Sequence, residues 1–318
     1  MGTDRTHQWP AIPFTDWEAT CSALHLWCQI VGKYRLRHTH WVNHSWHATL
    51  YVTPRGLTTG LVPDPQAPAM VFFDFCDHTL IVEAAVGARS SFGLKDMSVA
   101  DFFQSFKHAV EDLGGDCEIH GRPNELANPI HFEADTDVRP YDGNAVQRFH
   151  TALLSADRVF NRFRTGFQGK VSPVHLFWGS FDLAVTRFSG QTAPVHPGGI
   201  PFLPDTVTRE AYSHEVSSAG FWPGNGYGEA MFYSYAYPTP DAMKNTRVMP
   251  DAAFWHADLG EFLLPYEAVR TAPDPDATLM SFLQSTYQAA AANGWNSAAL
   301  ERPFGERGTP FATPTDPN

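Results

Sequence analysis

Residues 209–224 read Arg-Glu-Ala-Tyr-Ser-His-Glu-Val-Ser-Ser-Ala-Gly-Phe-Trp-Pro-Gly, a run crowded with reactive and aromatic side chains. It shows neither helical nor strand periodicity, and Tyr212, Val216, Phe221 and Trp222 are out of place in a disordered segment. The pattern predicts an ordered loop, a kind of segment that often carries function. His214 beside Glu215 supplies an imidazole and a carboxylate. Such a pair can act as a general base with its orienting partner, or as metal ligands.

Further candidates lie upstream. His175 opens an apolar run to Phe188 that reads as one strand. Alternation puts His175, Phe177, Phe181, Leu183, Val185 and Arg187 on one face, with Trp178, Ser180, Asp182, Ala184 and Thr186 on the other. Asp182 is the anomaly, because a carboxylate is disfavoured in a strand and, if buried, needs a partner or a metal. A solvated face is the plainer alternative. His196 precedes Pro197-Gly198-Gly199, where glycine permits close approach to a ligand or a simple turn. His44 and His47 converge only if residues 43–46 form a turn.

These side chains form one hypothetical site. His175, His196 and His214 are the candidate ligands of a divalent transition metal (Zn, Fe, Mn or Cu). His214, Glu215, Asp182 and Arg187 are the candidate catalytic groups, Arg187 holding an anionic part of the substrate. Trp178, Trp222, Tyr212 and Arg209 are the candidate substrate contacts. A metal-free His214–Glu215 base serves equally well. The sequence contains no G-x-S-x-G elbow, Walker A loop or H-E-x-x-H. Gly224-Asn225-Gly226-Tyr227-Gly228 precedes a strand pattern rather than a helix, so it does not make a phosphate-binding helix terminus.

The elements that must position such a site follow from periodicity. Trp17, Cys21, Leu24, Cys28 and Val31 mark one face of a helix over residues 16–31, and Phe149, Leu153, Ala156, Phe160 and Phe163 mark another over 144–164. Strands are expected at 48–53, 80–86, 230–237 and 262–269, and helices at 99–113 and 276–293, each ending near a glycine. The order helix, antiparallel strands, helix thus occurs twice. We expect an α+β fold of two degenerate repeats packed as one pseudo-symmetric unit. Residues 1–120 form the first half, 121–142 a Pro/Asn/Asp-rich linker, and 143–303 the second half with inserted loops at 189–258. Residues 304–318 read as a flexible tail.

Composition narrows the function. A formal charge of -12 and the lack of Lys/Arg clusters argue against nucleic acid and anionic membrane as partners. Residues 1–16 lead into no apolar signal segment, and no apolar run approaches the ~20 residues of a spanning helix. Cys21 and Cys28 fall ~10 Å apart on one helical face, too far for a disulfide. Buried thiols suit a reducing compartment, and a cytoplasmic location is expected.

From about Trp9 to Pro303 the sequence resembles a bacterial family defined only as a domain of unknown function. The resemblance rests on residues 50–59 (LYVTPRGLTT), 172–190 (SPVHLFWGSFDLAVTRFSG) and 209–224, with 262–270 and 282–287 agreeing. Ser45 and Val171 depart from the family pattern, and neither is a proposed ligand. The resemblance implies no reaction. The residues themselves point to a small-molecule enzyme with a His/carboxylate site. The alternative is a non-catalytic binding protein in which Trp46, Trp178, Phe221 and Trp222 line an apolar pocket.

Overall fold

A computed structural model describes residues 8–292 and 294–304. The first apolar segment becomes α1 (Glu18–His38), longer than its core stripe because Arg35, Arg37 and His38 suit a helix C-terminus. Five strands follow: β1 (Tyr51–Thr53), β2 (Gly56–Val62), β3 (Ala69–Asp74), β4 (Thr79–Ala84) and β5 (Arg89–Gly93). They form an antiparallel sheet in sequential order. α2 (Val99–Glu111) is capped by the Ser98 hydroxyl, which accepts from the Asp101 amide. Its Phe102 stacks on Trp27 of α1, with ring centroids 4.9 Å apart, and on Phe73 of β3 at 6.2 Å.

Residues 121–142 hold one 3-10 turn, Phe132–Ala134, and Phe132 is completely buried in it. The segment is packed against the body as a strap. α3 (Gly143–Thr165) begins where the Asp142 carboxylate accepts from the Asn144 and Ala145 amides.

The second sheet is also antiparallel and six-stranded, ordered β10-β11-β9-β8-β7-β6. Its strands are β6 (His175–Phe177), β7 (Asp182–Thr192), β8 (His214–Trp222), β9 (Met231–Tyr237), β10 (Phe254–His256) and β11 (Glu261–Pro265). α4 (Asp205–Ala211) lies between β7 and β8. The chain then forms α5 (Tyr266–Arg270), α6 (Pro275–Ala291) and α7 (Ser297–Leu300). Leu50 and Leu176 exchange two backbone hydrogen bonds, of 2.8 and 3.0 Å, and so tie the two sheets together. The fold is α+β.

Four local expectations change. Residues 174–188 are not one strand but a hairpin, β6 and β7, turning at residues 178–181 with Phe181 at φ 61°. Residues 209–224 are not a loop; they hold the end of α4 and then β8. β8 is buried on both faces, which erases the alternation that marks a half-exposed strand. The stretch 189–258, expected as loops apart from the strand at 230–237 that is β9, also supplies α4, β8 and β10. Finally, the strand expected at 262–269 stops at Pro265, so Glu267 and Ala268 lie in α5. Of the expected tail at 304–318, all but Phe304 lies outside the described residues.

Candidate functional site

The two faces of the second sheet differ in chemistry. One packs against α3 and α6 through Leu183, Val185, Phe221, Phe232, Phe262 and Leu264, all buried. The cross-strand register puts a different set on the opposite face. His175 lies opposite Ala184, Ala184 opposite Gly220, and Gly220 opposite Tyr233. Residues two apart share a face, so Asp182, Thr186, Ser218, Trp222, Tyr235 and Tyr237 join them. Glu261, paired with His256, continues this face onto β11.

Asp182 is the centre of that face. It is 3% exposed, and its carboxylate accepts short hydrogen bonds from the Ser180 and Tyr233 hydroxyls. Tyr233 reaches it by lying across Gly220, where an added Cβ would stand 2.3 Å from the phenol oxygen. Trp222 covers the other side of the Tyr233 ring at 4.5 Å. Tyr235 stacks beside Tyr233 and accepts a 2.9 Å hydrogen bond from the Tyr212 hydroxyl.

Two more carboxyl groups feel Asp182. Glu125 and Glu261 have no hydrogen-bond or ion-pair partner among the described residues, and Glu261 is only 6% exposed. Burial, with the Asp182 charge adding to it, pushes Glu125 up to about 7 and Glu261 up to about 8. Burial raises Asp182 as well, opposed by its bonds from Ser180 and Tyr233. Tyr212 senses all three acids. No salt bridge neutralises any of the three among the described residues. Asp182 has two hydroxyl donors to hold its charge. Glu125 and Glu261, with neither donor nor counter-cation among the described residues, hold their protons, because ionisation in a poorly solvated place is costly.

α1 positions this cluster with a polar stripe spaced one helical turn apart. His25 Nε2 contacts the Gly179 carbonyl at 2.8 Å. The Gln29 amide brackets Asn124, accepting from its backbone N–H at 2.7 Å and donating to its carbonyl at 3.0 Å. Lys33 donates to the Asn124 side chain at 2.8 Å. These bonds fix the strap so that Glu125, at φ 57°, lies over Gly179, where an added Cβ would be 2.0 Å from its carboxyl oxygen. The other margin is covered by residues 193–213. There His196 stacks on Tyr212 and Tyr237, each at 4.9 Å, and the Tyr237 hydroxyl donates to the Pro194 carbonyl.

The structure brings together some of the residues singled out from sequence and separates others. Asp182, Tyr212 and Trp222 meet at the carboxyl cluster. His175 shares the Asp182 face because the hairpin reverses the chain; it is fully buried, and neither ring nitrogen has a partner outside its own residue. Burial pushes its pKa down to about 3, with nearby His44 contributing. His44, itself pushed down to about 4, also lies within electrostatic reach of His214. His214 is exposed at the start of β8, touching Ser213. Glu215 is the next residue on that strand and points to the opposite face, so it does not orient His214. His47 bonds to the Val42 backbone instead.

Arg187 also lies on the far face. It is sandwiched among Phe163, Tyr287 and Phe167 at 3.4, 4.3 and 5.0 Å, with Nη2 donating to the Phe163 carbonyl. It does not meet Asp182. Trp178 packs against Gly32 of α1 and donates to the Ala48 carbonyl at 2.7 Å, so it braces the hairpin turn. Arg209 is spent on Asp205 and the His196 and Pro197 carbonyls. His175, His196 and His214 do not form a ligand set. No three His, Cys, Asp or Glu side chains among the described residues are placed to hold one ion. An open cavity of about 250 Å³ lies elsewhere, between Lys244, Arg247, Phe254 and Trp255.

Fold and site together define an α+β protein with a carboxyl and tyrosine cluster on one sheet face. The chain belongs to the family of unknown function DUF5996, whose model matches residues 9–302. No curated protein and no solved structure matches it. Among the described residues, no helix is long and apolar enough to cross a membrane.

Proposed function

We propose that the chain is a small-molecule enzyme whose acid–base groups are Asp182, Glu125 and Glu261. One observation carries this reading: Glu125 and Glu261 each lie within electrostatic reach of buried Asp182, and among the described residues no cation pairs with the three and the two glutamates lack a hydrogen-bond partner. Carboxyl groups held near neutrality can give a proton as well as take one, which is what general acid–base chemistry at pH 7 needs. In this reading Asp182 is the fixed charge, with Tyr233 and Ser180 holding its geometry. Glu261 and Glu125 exchange protons with the substrate, and Trp222 and Tyr212 provide its contact surface.

The test is to incubate the protein with a small-metabolite extract and follow every component by mass spectrometry. Turnover of a component by the wild type, abolished in a folded Asp182→Asn variant, is expected. A second reading is favoured by the aromatic rings Trp222, Tyr233, Tyr235 and Tyr237 on the same face: a non-catalytic binding protein. It predicts a component retained unchanged by the wild type and released by Trp222→Ala.

A further inference from the structure

We propose that this site recognises an organic monocation, a small molecule carrying an ammonium or guanidinium group that docks between the carboxyl groups and the tyrosine and tryptophan rings. The inference rests on the acid–base reading for the location of the site and adds the chemistry of its ligand.

Three observations support it. Glu261 is more than nine-tenths buried and has no partner among the described residues, and Phe262 opposite Ser234 puts it beside Tyr235 on the face that carries Tyr233 and Asp182. A buried acid in that position lacks a positive charge that none of the described residues supplies. Lys33, on the polar stripe of α1, is committed to Asn124 and the Trp178 ring, and its pKa shows no effect of the acids. The second observation is the ring set. Trp222, Tyr233, Tyr235 and Tyr212 stand around the carboxyl groups, and aromatic faces attract a desolvated cation through the ring quadrupole. Third, the chain carries a net charge of -12, which draws cations and repels anions on approach. A divalent metal ion is a poorer fit, since no three ligating groups among the described residues are placed to share one.

A cation docking here ionises the acids around it, so binding releases protons. Those facing the ligand are Asp182 of β7, Glu261 of β11 and Glu125 of the strap. Tyr233 and Tyr235 of β9, Tyr212, and His256, opposite Glu261, also adjoin the cluster. The acid–base reading alone does not require this release.

Choline and methylguanidine are the probes, each a monocation at pH 7, and 3,3-dimethylbutan-1-ol is the neutral isostere of choline. Isothermal titration of the full chain at pH 7 is run in phosphate and in MOPS, whose ionisation heats differ and neither of which carries a net positive charge. At least one cation should bind about tenfold or more tightly than the alcohol, as a cation–π and charge contact implies. It should release about one proton on binding. Glu261→Gln, checked for folding by circular dichroism, should lose the preference and most of the release; if it does not fold, Glu125→Gln reads the same effect. Equal binding of cation and alcohol, no binding of either cation, or a preference unchanged in the folded variant would overturn the inference. Carbon-13 titration of the glutamate carboxyls separates the two failures. Values near neutrality without cation preference leave the acid–base reading standing, whereas values below pH 5 remove that reading too.

Discussion

Glu261→Gln should flatten the dependence of stability on pH above neutrality. In the folded chain Glu261 is raised from 4.5 to about 8, and Glu125 from 4.5 to about 7. An acid whose folded pKa is raised keeps a proton that the unfolded chain has already lost. Its contribution is therefore full at low pH and declines as pH climbs toward the folded value. The histidines act in the opposite sense. Burial lowers His25 and His44 to about 4 and His175 to about 3, so their destabilising effect shrinks as pH climbs through their unfolded pKa near 6.5 and is gone by about pH 8. Lys33, lowered to about 8, and the buried thiols of Cys21, Cys28 and Cys117 change stability mainly above pH 8. Between pH 6.5 and 8 the two glutamates dominate.

Integrating the proton linkage over that window gives about 1.7 kcal/mol lost for Glu261 and about 0.8 kcal/mol for Glu125. This is offset by about 1.2 kcal/mol regained as the three histidines finish losing their protons in the unfolded chain, so about 1.2 kcal/mol is lost in all. Glutamine keeps the shape of Glu261 without the proton, so the variant should lose nothing over the same range and gain about 0.4 kcal/mol, the histidines outweighing Glu125. Urea unfolding at pH steps from 5 to 8, read by tryptophan fluorescence, measures both curves through their midpoints. The wild type should peak near pH 6.5, falling on the acid side as the histidines charge. A wild-type curve flat between pH 6.5 and 8, or a variant that falls as steeply as the wild type, would refute the placement of an unpaired buried acid on β11.

Three further outcomes follow from packing. Gly220→Ala puts a Cβ 2.3 Å from the Tyr233 hydroxyl and should push the phenol off Asp182, costing about 2–4 kcal/mol in urea unfolding. Arg187→Met should stay within about 1 kcal/mol of the wild type or exceed it, because it replaces a poorly paired buried charge with apolar volume. Arg187→Ala should instead lose about 3 kcal/mol to the empty space, and equal losses in both variants would argue that the charge itself holds the fold. Gly32→Ala, with its Cβ 2.3 Å from the Trp178 indole, should lower stability by about 1–3 kcal/mol and red-shift the tryptophan emission.

How much of this was legible depended on whether the signal was local. α1, α2, α3 and α6 lie where the apolar spacing placed them, within a few residues except at the C-terminus of α1, because helix caps and periodicity are encoded within one or two turns. β8 was not legible. Its Ser217, Ser218, Ala219 and Gly220 are small because one face meets α6 and the other admits the Tyr233 ring, and both demands come from elements elsewhere in the chain. The β6–β7 turn hid inside an alternation that continues through it, although Gly179-Ser180 was the available cue.

The same contrast governs the site. Asp182 declared itself as a carboxylate in an apolar strand, since the anomaly needs no knowledge of the fold. Glu125 and Glu261 had no such mark, one lying in a polar strap and the other at a strand end. What joins them to Asp182 is the strand order β11-β9-β8-β7 and the grip of α1 on Asn124, which are long-range facts. One cue did exist in the sequence: His25, Gln29 and Lys33 recur every fourth residue through the apolar middle of α1. A buried polar stripe of that kind must be matched by backbone or side-chain partners. Its partners here are the Gly179 turn and the strap that carries Glu125, so the stripe marks the wall of the site rather than the site itself.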